Sequence, residues 1–192
     1  MTPDADFITL TAGGNDLKYV GGLIQDEFVS TWPGWLLSPV LPLLGAGSVV
    51  EEERISVNVL AENFIAVLDG IHAAAPKAKI YLVEYLTLLS PSTISSVHVS
   101  LSAEKIAKYQ NIAQDLHHAY VLASEARKDW CVLVNVAEGG REHGVRMEEP
   151  WVEGVGVRSL WRGNPMHPNE KGMRAVADML IERLENDGVV MS

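Results

Sequence analysis

The sequence is poor in several features that mark large classes of proteins. It has one cysteine, Cys131, so no disulfide can form within these 192 residues. Because Cys131 lies in the apolar run 131–137, we interpret it as a buried thiol rather than a reactive one. Lysine and arginine form no cluster, and the formal net charge is −10. This charge argues against nucleic acid and against anionic membranes as partners.

Long uninterrupted hydrophobic runs are also missing. The most apolar stretch, residues 35–50, is broken by proline and glycine and is too short to cross a bilayer. Residues 1–7 show neither the basic start nor the apolar core of a secretory signal. We therefore expect a soluble, monomeric protein without an integral membrane segment. The native compartment stays open, since a longer protein could carry an export signal.

The apolar pattern that is present predicts one α/β domain. Hydrophobic residues make up 47% of the chain, which is enough for a substantial core. Three nearly continuous apolar runs are typical of parallel strands covered on both faces, over residues 7–12, 79–86 and 131–137. Helical spacing of apolar residues predicts three long helices, over residues 52–75, 102–127 and 169–186. This alternation predicts a three-layer α/β/α fold with a parallel sheet, in a single domain over residues 1–192.

Two polar corners interrupt the pattern. The first strand ends in GGND, residues 13–16, and the last helix follows GNPMHPNEKG, residues 163–172. Because loops after parallel strands gather at the edge of the sheet where ligands bind, we expect the two corners to be neighbours. The Asn15 amide is an uncharged donor suited to an oxyanion, and the His167 imidazole is suited to a general base. The alternative is structural: a turn in which Asp16 caps a helix, and a histidine that belongs to a cap region.

Both corners resemble conserved blocks of the SGNH hydrolases, also called GDSL esterases and lipases. PDADFITLTAGGNDL, residues 3–17, resembles the third block, in which a strand ends in G-x-N-D. GNPMHPNEKGMRAVADML, residues 163–180, resembles the fifth block, in which the catalytic histidine precedes the last helix. The resemblance extends over nearly the whole chain. It implies that the fold is flavodoxin-like, that Asn15 is an oxyanion donor and that His167 is the catalytic base.

Two departures from the family pattern concern catalytic residues. The family's nucleophilic serine belongs to a G-D-S motif after an earlier strand, and no such motif occurs in this sequence. Ser48, in GAGS, is a poor substitute because it follows no predicted strand. Three residues before the histidine the family usually has an aspartate, and Asn164 stands there in this chain. An amide does not stabilise an imidazolium as a carboxylate does, so a backbone carbonyl is the other candidate for orienting His167.

The resemblance implies an ester hydrolase that uses serine and histidine and needs no metal or organic cofactor. The expected substrate is a carboxylic ester of a lipid or a carbohydrate. Since the serine and the first two strands of the family's fold have no counterpart, we expect an N-terminally incomplete domain with strand 7–12 at an exposed edge. We also expect little activity from this chain alone. The alternative is a non-catalytic ligand-binding protein of the same fold.

The remaining histidines predict no metal site. His117 and His118 are adjacent in a predicted helix and diverge by about 100° around its axis. His143 is predicted to be a solvent-exposed loop residue. The loops 30–50 and 138–166, which both contain tryptophans, either pack irregularly over the core or form the walls of an apolar pocket.

Overall fold

Three parallel strands form the centre of the fold. The structure is a computed structural model that describes residues 3–14, 17–31, 55–162 and 164–189. The strands are β1 (Phe7–Leu10), β2 (Lys79–Val83) and β3 (Cys131–Val134), paired in the order β1-β2-β3. The register aligns Ile8 with Ile80, and Ile80 with Cys131. The predicted parallel sheet is confirmed, and each strand ends earlier than predicted because the chain turns off the sheet at its carboxyl edge.

In the described residues six helices surround this sheet. They are α1 (Tyr19–Thr31), α2 (Val57–Ala74), α3 (Ala103–Ala126), α4 (Val136–Gly139), α5 (Val157–Arg162) and α6 (Glu170–Asn186). The three long predicted helices are confirmed as α2, α3 and α6, and residues 52–54 lie outside the described residues. Each begins after a side chain that caps it: Ser56, Ser102 and Asn169. The sequence does not predict α1, because its Gly21 and Gly22 are weak helix formers.

The core is built around β2. Ile80, Tyr81 and Leu82 are fully buried between the layers of helices. The buried residues of α3 include Ile106, Tyr109, Leu116, Tyr120 and Ala123. α2 packs against α3, while α3 and α6 both contact β3. The predicted α/β/α architecture is therefore confirmed.

Within the described residues, apolar side chains of β1 and α6 are only partly covered. β1 is the end strand in the described part of the chain, and its Ile8 and Leu10 are only half-buried. The apolar face of α6 is only partly buried. Leu184 is buried, but Met173 is 61% exposed and Ile181 is 37% exposed. α6 contacts β3, the other end strand of the described sheet.

Among the helices of the described ranges one, α2, is long and apolar enough by length and composition alone to cross a membrane. A core helix of a soluble protein has the same properties. α2 contributes Leu60, Phe64 and Leu68 to the core and packs on α3. Its composition is therefore weak evidence for a membrane span.

Candidate active site

A glycine corner follows β1, and three aromatic side chains hold it. Gly13 has a φ of +92°, and a Cβ at this position would overlap the ring of Phe64, with Cε1 only 2.7 Å away. A Cβ on Gly14 would lie 2.6 Å from Cζ of Tyr85. The Tyr120 hydroxyl donates a hydrogen bond to the carbonyl that precedes Gly13, and the Tyr120 ring stacks on Phe64 with centroids 4.8 Å apart. Backbone conformation and close packing therefore both require glycine here.

The predicted oxyanion donor, Asn15, lies outside the described residues, as does Asp16. On one side of the gap, the carbonyl of Gly14 accepts a 2.9 Å hydrogen bond from the N–H of Tyr19. This bond ties the glycine corner to the first residue of α1. The position of the Asn15 amide relative to His167 stays a prediction.

His167 lies in the loop between α5 and α6, and it is exposed. Its Nδ1 is 2.8 Å from the carbonyl oxygen of Pro165, which orients the ring when Nδ1 carries the proton. The backbone is held as well, because the N–H of Glu153 donates to the His167 carbonyl and the N–H of Met166 donates to the Glu153 carbonyl, both at 2.9 Å. This arrangement leaves Nε2 to accept a proton.

The residues just before His167 have unusual environments. Met166 has a φ of +56° although its side chain is buried, and a left-handed non-glycine residue costs about 1–2 kcal/mol. Asn164, predicted to replace the family's aspartate, has a buried Oδ1 without a hydrogen-bond partner. Within the described residues, the hydrogen-bond partner of His167 Nδ1 is the carbonyl of Pro165. A backbone carbonyl is the alternative to Asn164 for orienting the ring. A catalytic role for Asn164 stays a prediction.

The segment after β2 lies between the glycine corner and the start of α6. Tyr85 packs against Gly14, as described above. Leu86, the next residue, has Cδ1 3.1 Å from the position that a Cβ would occupy on Gly172. Gly172 lies in the first turn of α6, shortly after His167. Two consecutive residues therefore touch both regions, which brings them to the same edge of the sheet.

The structure has a buried acid–base pair at this edge of the sheet that the sequence does not predict. Glu84, the first residue after β2, has a side chain that is 1% exposed, and its Oε1 is 2.5 Å from Nδ1 of His117 in α3. The other carboxylate oxygen accepts a hydrogen bond of 3.4 Å from the N–H of Ala137. The only sequence signal for this pair is a lone glutamate within the apolar run 79–86.

The pair lines a cavity of about 30 Å³ whose aromatic walls are Tyr19, Tyr85 and Tyr120. Burial raises the pKa of Glu84 above its ordinary value, although hydrogen bonds from His117 and from a backbone N–H act in the opposite direction. Burial also raises the pKa of Tyr120, so its hydroxyl stays a neutral donor. The cavity therefore combines an acid–base pair with aromatic walls.

The buried serines in the described part of the chain are bound to the backbone. The hydroxyls of Ser124 and Ser159 donate to backbone carbonyls. Ser90 Oγ accepts a hydrogen bond from the N–H of Gly144. These bonds give each serine a structural role, so none of the three is a good candidate for the missing nucleophile.

The other predicted features have different outcomes. Ser48 and most of the loop 30–50 lie outside the described residues. The prediction that His143 is solvent-exposed is wrong: it is half-buried and stacks on Trp151 with centroids 4.1 Å apart, because the loop folds back on itself. A role for loop 138–166 as a pocket wall stays a prediction. Within the described ranges no group of three His, Cys, Asp or Glu side chains could hold a metal ion.

Solved structures share this fold. The chain is similar to phospholipase A1 from Streptomyces albidoflavus NA297, with a TM-score of 0.62 and 15% identity over 94% of this chain and 70% of that one. It is also similar to an extracellular lipase from Streptomyces rimosus, with a TM-score of 0.59 and 20% identity over 92% of this chain and 70% of that one. Neither protein-family profiles nor curated protein sequences match this chain. At these identities the likeness shows the fold alone, and this fold agrees with the one that the resemblance to the SGNH hydrolases implies.

Proposed function

We propose that this chain supplies the base and the oxyanion site of an ester hydrolase. The observation that best supports this is the exposed ring of His167, whose Nδ1 is 2.8 Å from the Pro165 carbonyl. Its Nε2 would take the proton of a serine hydroxyl as the serine attacks the ester carbonyl. Asn15, which follows the glycine corner, would donate to the oxyanion. His167 would then activate water to release the acyl group.

The proposed substrate is a carboxylic ester of a lipid. Similar structures belong to proteins named phospholipase A1 and lipase, which favours a lipid over a carbohydrate ester. The mechanism uses only side chains and water, so it requires no cofactor.

We propose that the nucleophilic serine lies outside these 192 residues. In the described residues β1 pairs only with β2, and its Ile8 and Leu10 are half-buried. A further parallel strand on the open side would satisfy the backbone groups of β1 and cover these side chains. The carboxyl end of such a strand would lie at the same edge as the glycine corner. In this proposal the strand that carries the serine completes the single domain.

The test compares the 192-residue chain with the longer chain that in-frame upstream sequence encodes. We expect a serine-directed fluorophosphonate to label the longer chain and not the shorter one. In the longer chain His167→Ala is expected to lower kcat by roughly 10²–10⁴-fold, the usual contribution of a general base. His118→Ala is the control, because His118 is an exposed histidine of α3 and takes no part in the proposed chemistry.

Labelling of the 192-residue chain would contradict the placement of the serine. So would an upstream sequence without a strand that ends in G-D-S. A normal kcat in the His167→Ala variant of the longer chain would refute the role of this histidine. The variants should be compared by circular dichroism, so that a loss of activity is not mistaken for a loss of fold.

A second candidate function is ligand binding without catalysis. The unpaired, buried Oδ1 of Asn164 favours it, because no carboxylate stands there to stabilise a His167 imidazolium. Calorimetry with a lipid ester and with its non-hydrolysable ether analogue separates the two functions. Equal binding without product formation by the longest encoded chain would support the binding function, and release of the acid by a fluorophosphonate-sensitive chain would exclude it.

A further inference from the structure

Joining the end of β2 to α3 through the Glu84–His117 pair costs desolvation free energy. The Glu84 side chain is 1% exposed and that of His117 is 38% exposed. Apolar side chains at both positions would pack these elements together without desolvating a carboxylate. A buried acid with a raised pKa and a defined partner, in a cavity at the ligand-binding edge of a parallel sheet, is typical of a functional site.

The geometry of the pair is that of a base with an orienting acid. Nδ1 of His117 is 2.5 Å from one oxygen of Glu84, and the N–H of Ala137 is 3.4 Å from the other oxygen. When Nδ1 donates to the carboxylate, Nε2 is the nitrogen with the free lone pair. The 38% exposure of the His117 side chain makes the ring accessible to small molecules from solvent.

The cavity beside the ring is small and close to the glycine corner. Its volume of about 30 Å³ has room for about two water molecules. Tyr85 lines this cavity and also packs on Gly14, so the cavity lies next to the proposed ester site. A small ester that enters from solvent would meet water and an oriented imidazole together.

We propose that Glu84 and His117 form a second acid–base centre, separate from His167, that hydrolyses small activated esters without a serine. Nε2 of His117 accepts a proton from water while the water oxygen bonds to the ester carbonyl carbon. The carbonyl π electrons move to the carbonyl oxygen and return when the bond to the alcohol oxygen breaks. The alkoxide or phenoxide leaves, and the imidazolium then releases its proton to the leaving group or to solvent. One ester and one water give one acid and one alcohol, while the Glu84 carboxylate stabilises the transient imidazolium.

This centre does not depend on the function proposed for His167. The test therefore measures hydrolysis of p-nitrophenyl acetate by the 192-residue chain after treatment with a fluorophosphonate, which removes any serine-dependent activity. We expect His117→Gln to lower the rate by at least about tenfold, below the range of a fully developed general base. Glu84→Gln should lower it too, because the amide can still accept a hydrogen bond from the ring but does not stabilise imidazolium. The rate of the unaltered chain should fall in D₂O, since a proton of water is transferred during attack.

The matched control is His118→Gln, which removes the neighbouring, exposed imidazole of the same helix. We expect this variant to hydrolyse the ester at the unaltered rate. An unchanged rate in His117→Gln would overturn the proposal. An equal loss of rate in His118→Gln would also overturn it, because unspecific surface imidazoles behave in this way.

Hydrolysis at the same rate in D₂O would mean that the ring attacks the ester directly. This result would overturn the proposal that the ring activates water. Urea unfolding of each variant establishes that the rates belong to folded protein. The function proposed for His167 is tested by labelling and kcat of the longer chain, and the Glu84–His117 centre by hydrolysis in the treated 192-residue chain. Either proposal can therefore be refuted while the other stands.

Discussion

Replacing Gly13 by alanine tests whether the glycine corner is held as tightly as its contacts indicate. Gly13 has a φ of +92°, which alanine adopts only with strain. The added Cβ would lie 2.7 Å from Cε1 of Phe64 and 3.4 Å from Cδ1 of Leu116. The Phe64 ring has little freedom to move, because it stacks on Tyr120 with centroids 4.8 Å apart. Gly13→Ala is therefore expected to be strongly destabilising.

Two separate effects determine how much Gly13→Ala lowers the free energy of unfolding. The left-handed backbone costs alanine about 1–2 kcal/mol. Forcing a methyl group into the packed contact with Phe64 costs about 1–3 kcal/mol more. We therefore expect Gly13→Ala to lower the free energy of unfolding by about 2–5 kcal/mol, a large fraction of the stability of a typical domain.

Urea unfolding of four proteins separates the two effects: the unaltered chain, Gly13→Ala, Phe64→Leu and the double variant. The shorter side chain of Phe64→Leu removes the overlap and leaves the backbone strain, so we expect a favourable coupling of about 1–2 kcal/mol in the double variant. Gly21→Ala is the control, because nothing lies within 4 Å of its Cβ position. Because Gly21 lies in the first turn of α1, this change should stabilise the protein by no more than the roughly 0.5–1 kcal/mol expected in a helix interior. A loss below about 1 kcal/mol in Gly13→Ala, with additive effects in the double variant, would refute the reasoning.

Three further predictions concern the scaffold. Asn169→Ala removes the N-cap of α6 and a 2.7 Å hydrogen bond to the Pro150 carbonyl, so the free energy of unfolding should fall by roughly 1–2 kcal/mol; a change within error would contradict the cap. Hydrogen bonds from Arg127 hold the pKa of Asp69 below its ordinary value, so this pair stabilises the fold above the unfolded pKa and the contribution is lost as pH falls through the folded pKa. Asp69→Asn should flatten the acid side of the stability–pH curve, and an unchanged slope below about pH 4 would oppose this. Burial raises the pKa of Cys131 to about 11, so an aromatic disulfide reagent near pH 8 should react with it only after urea unfolds the chain; rapid reaction of the native protein would show an accessible thiol.

The site shows which contacts are hard to predict from the chain. The glycine corner and His167 are both conspicuous in the sequence, because glycines after a strand and a histidine between prolines and a helix cap are local features. The carbonyl that faces His167 Nδ1 is harder to predict, since any nearby backbone group could take that place. Its identity, Pro165, depends on the left-handed turn at Met166 and on the pairing of this turn with Glu153. That pairing is a contact between loop segments and has no periodic signal.

The sequence by itself determined the three strands and the three long helices. These depend on apolar spacing and on side-chain bonds that reach only a few residues, so the chain carries their signal locally. Only the tertiary structure decided that Glu84 meets His117, that Phe64 and Tyr85 fill the space which Gly13 and Gly14 leave, and that much of the α6 face stays exposed. These outcomes depend on how α2, α3 and α6 pack on the sheet. Packing joins residues far apart in the chain, and it is governed by shape and burial rather than by spacing.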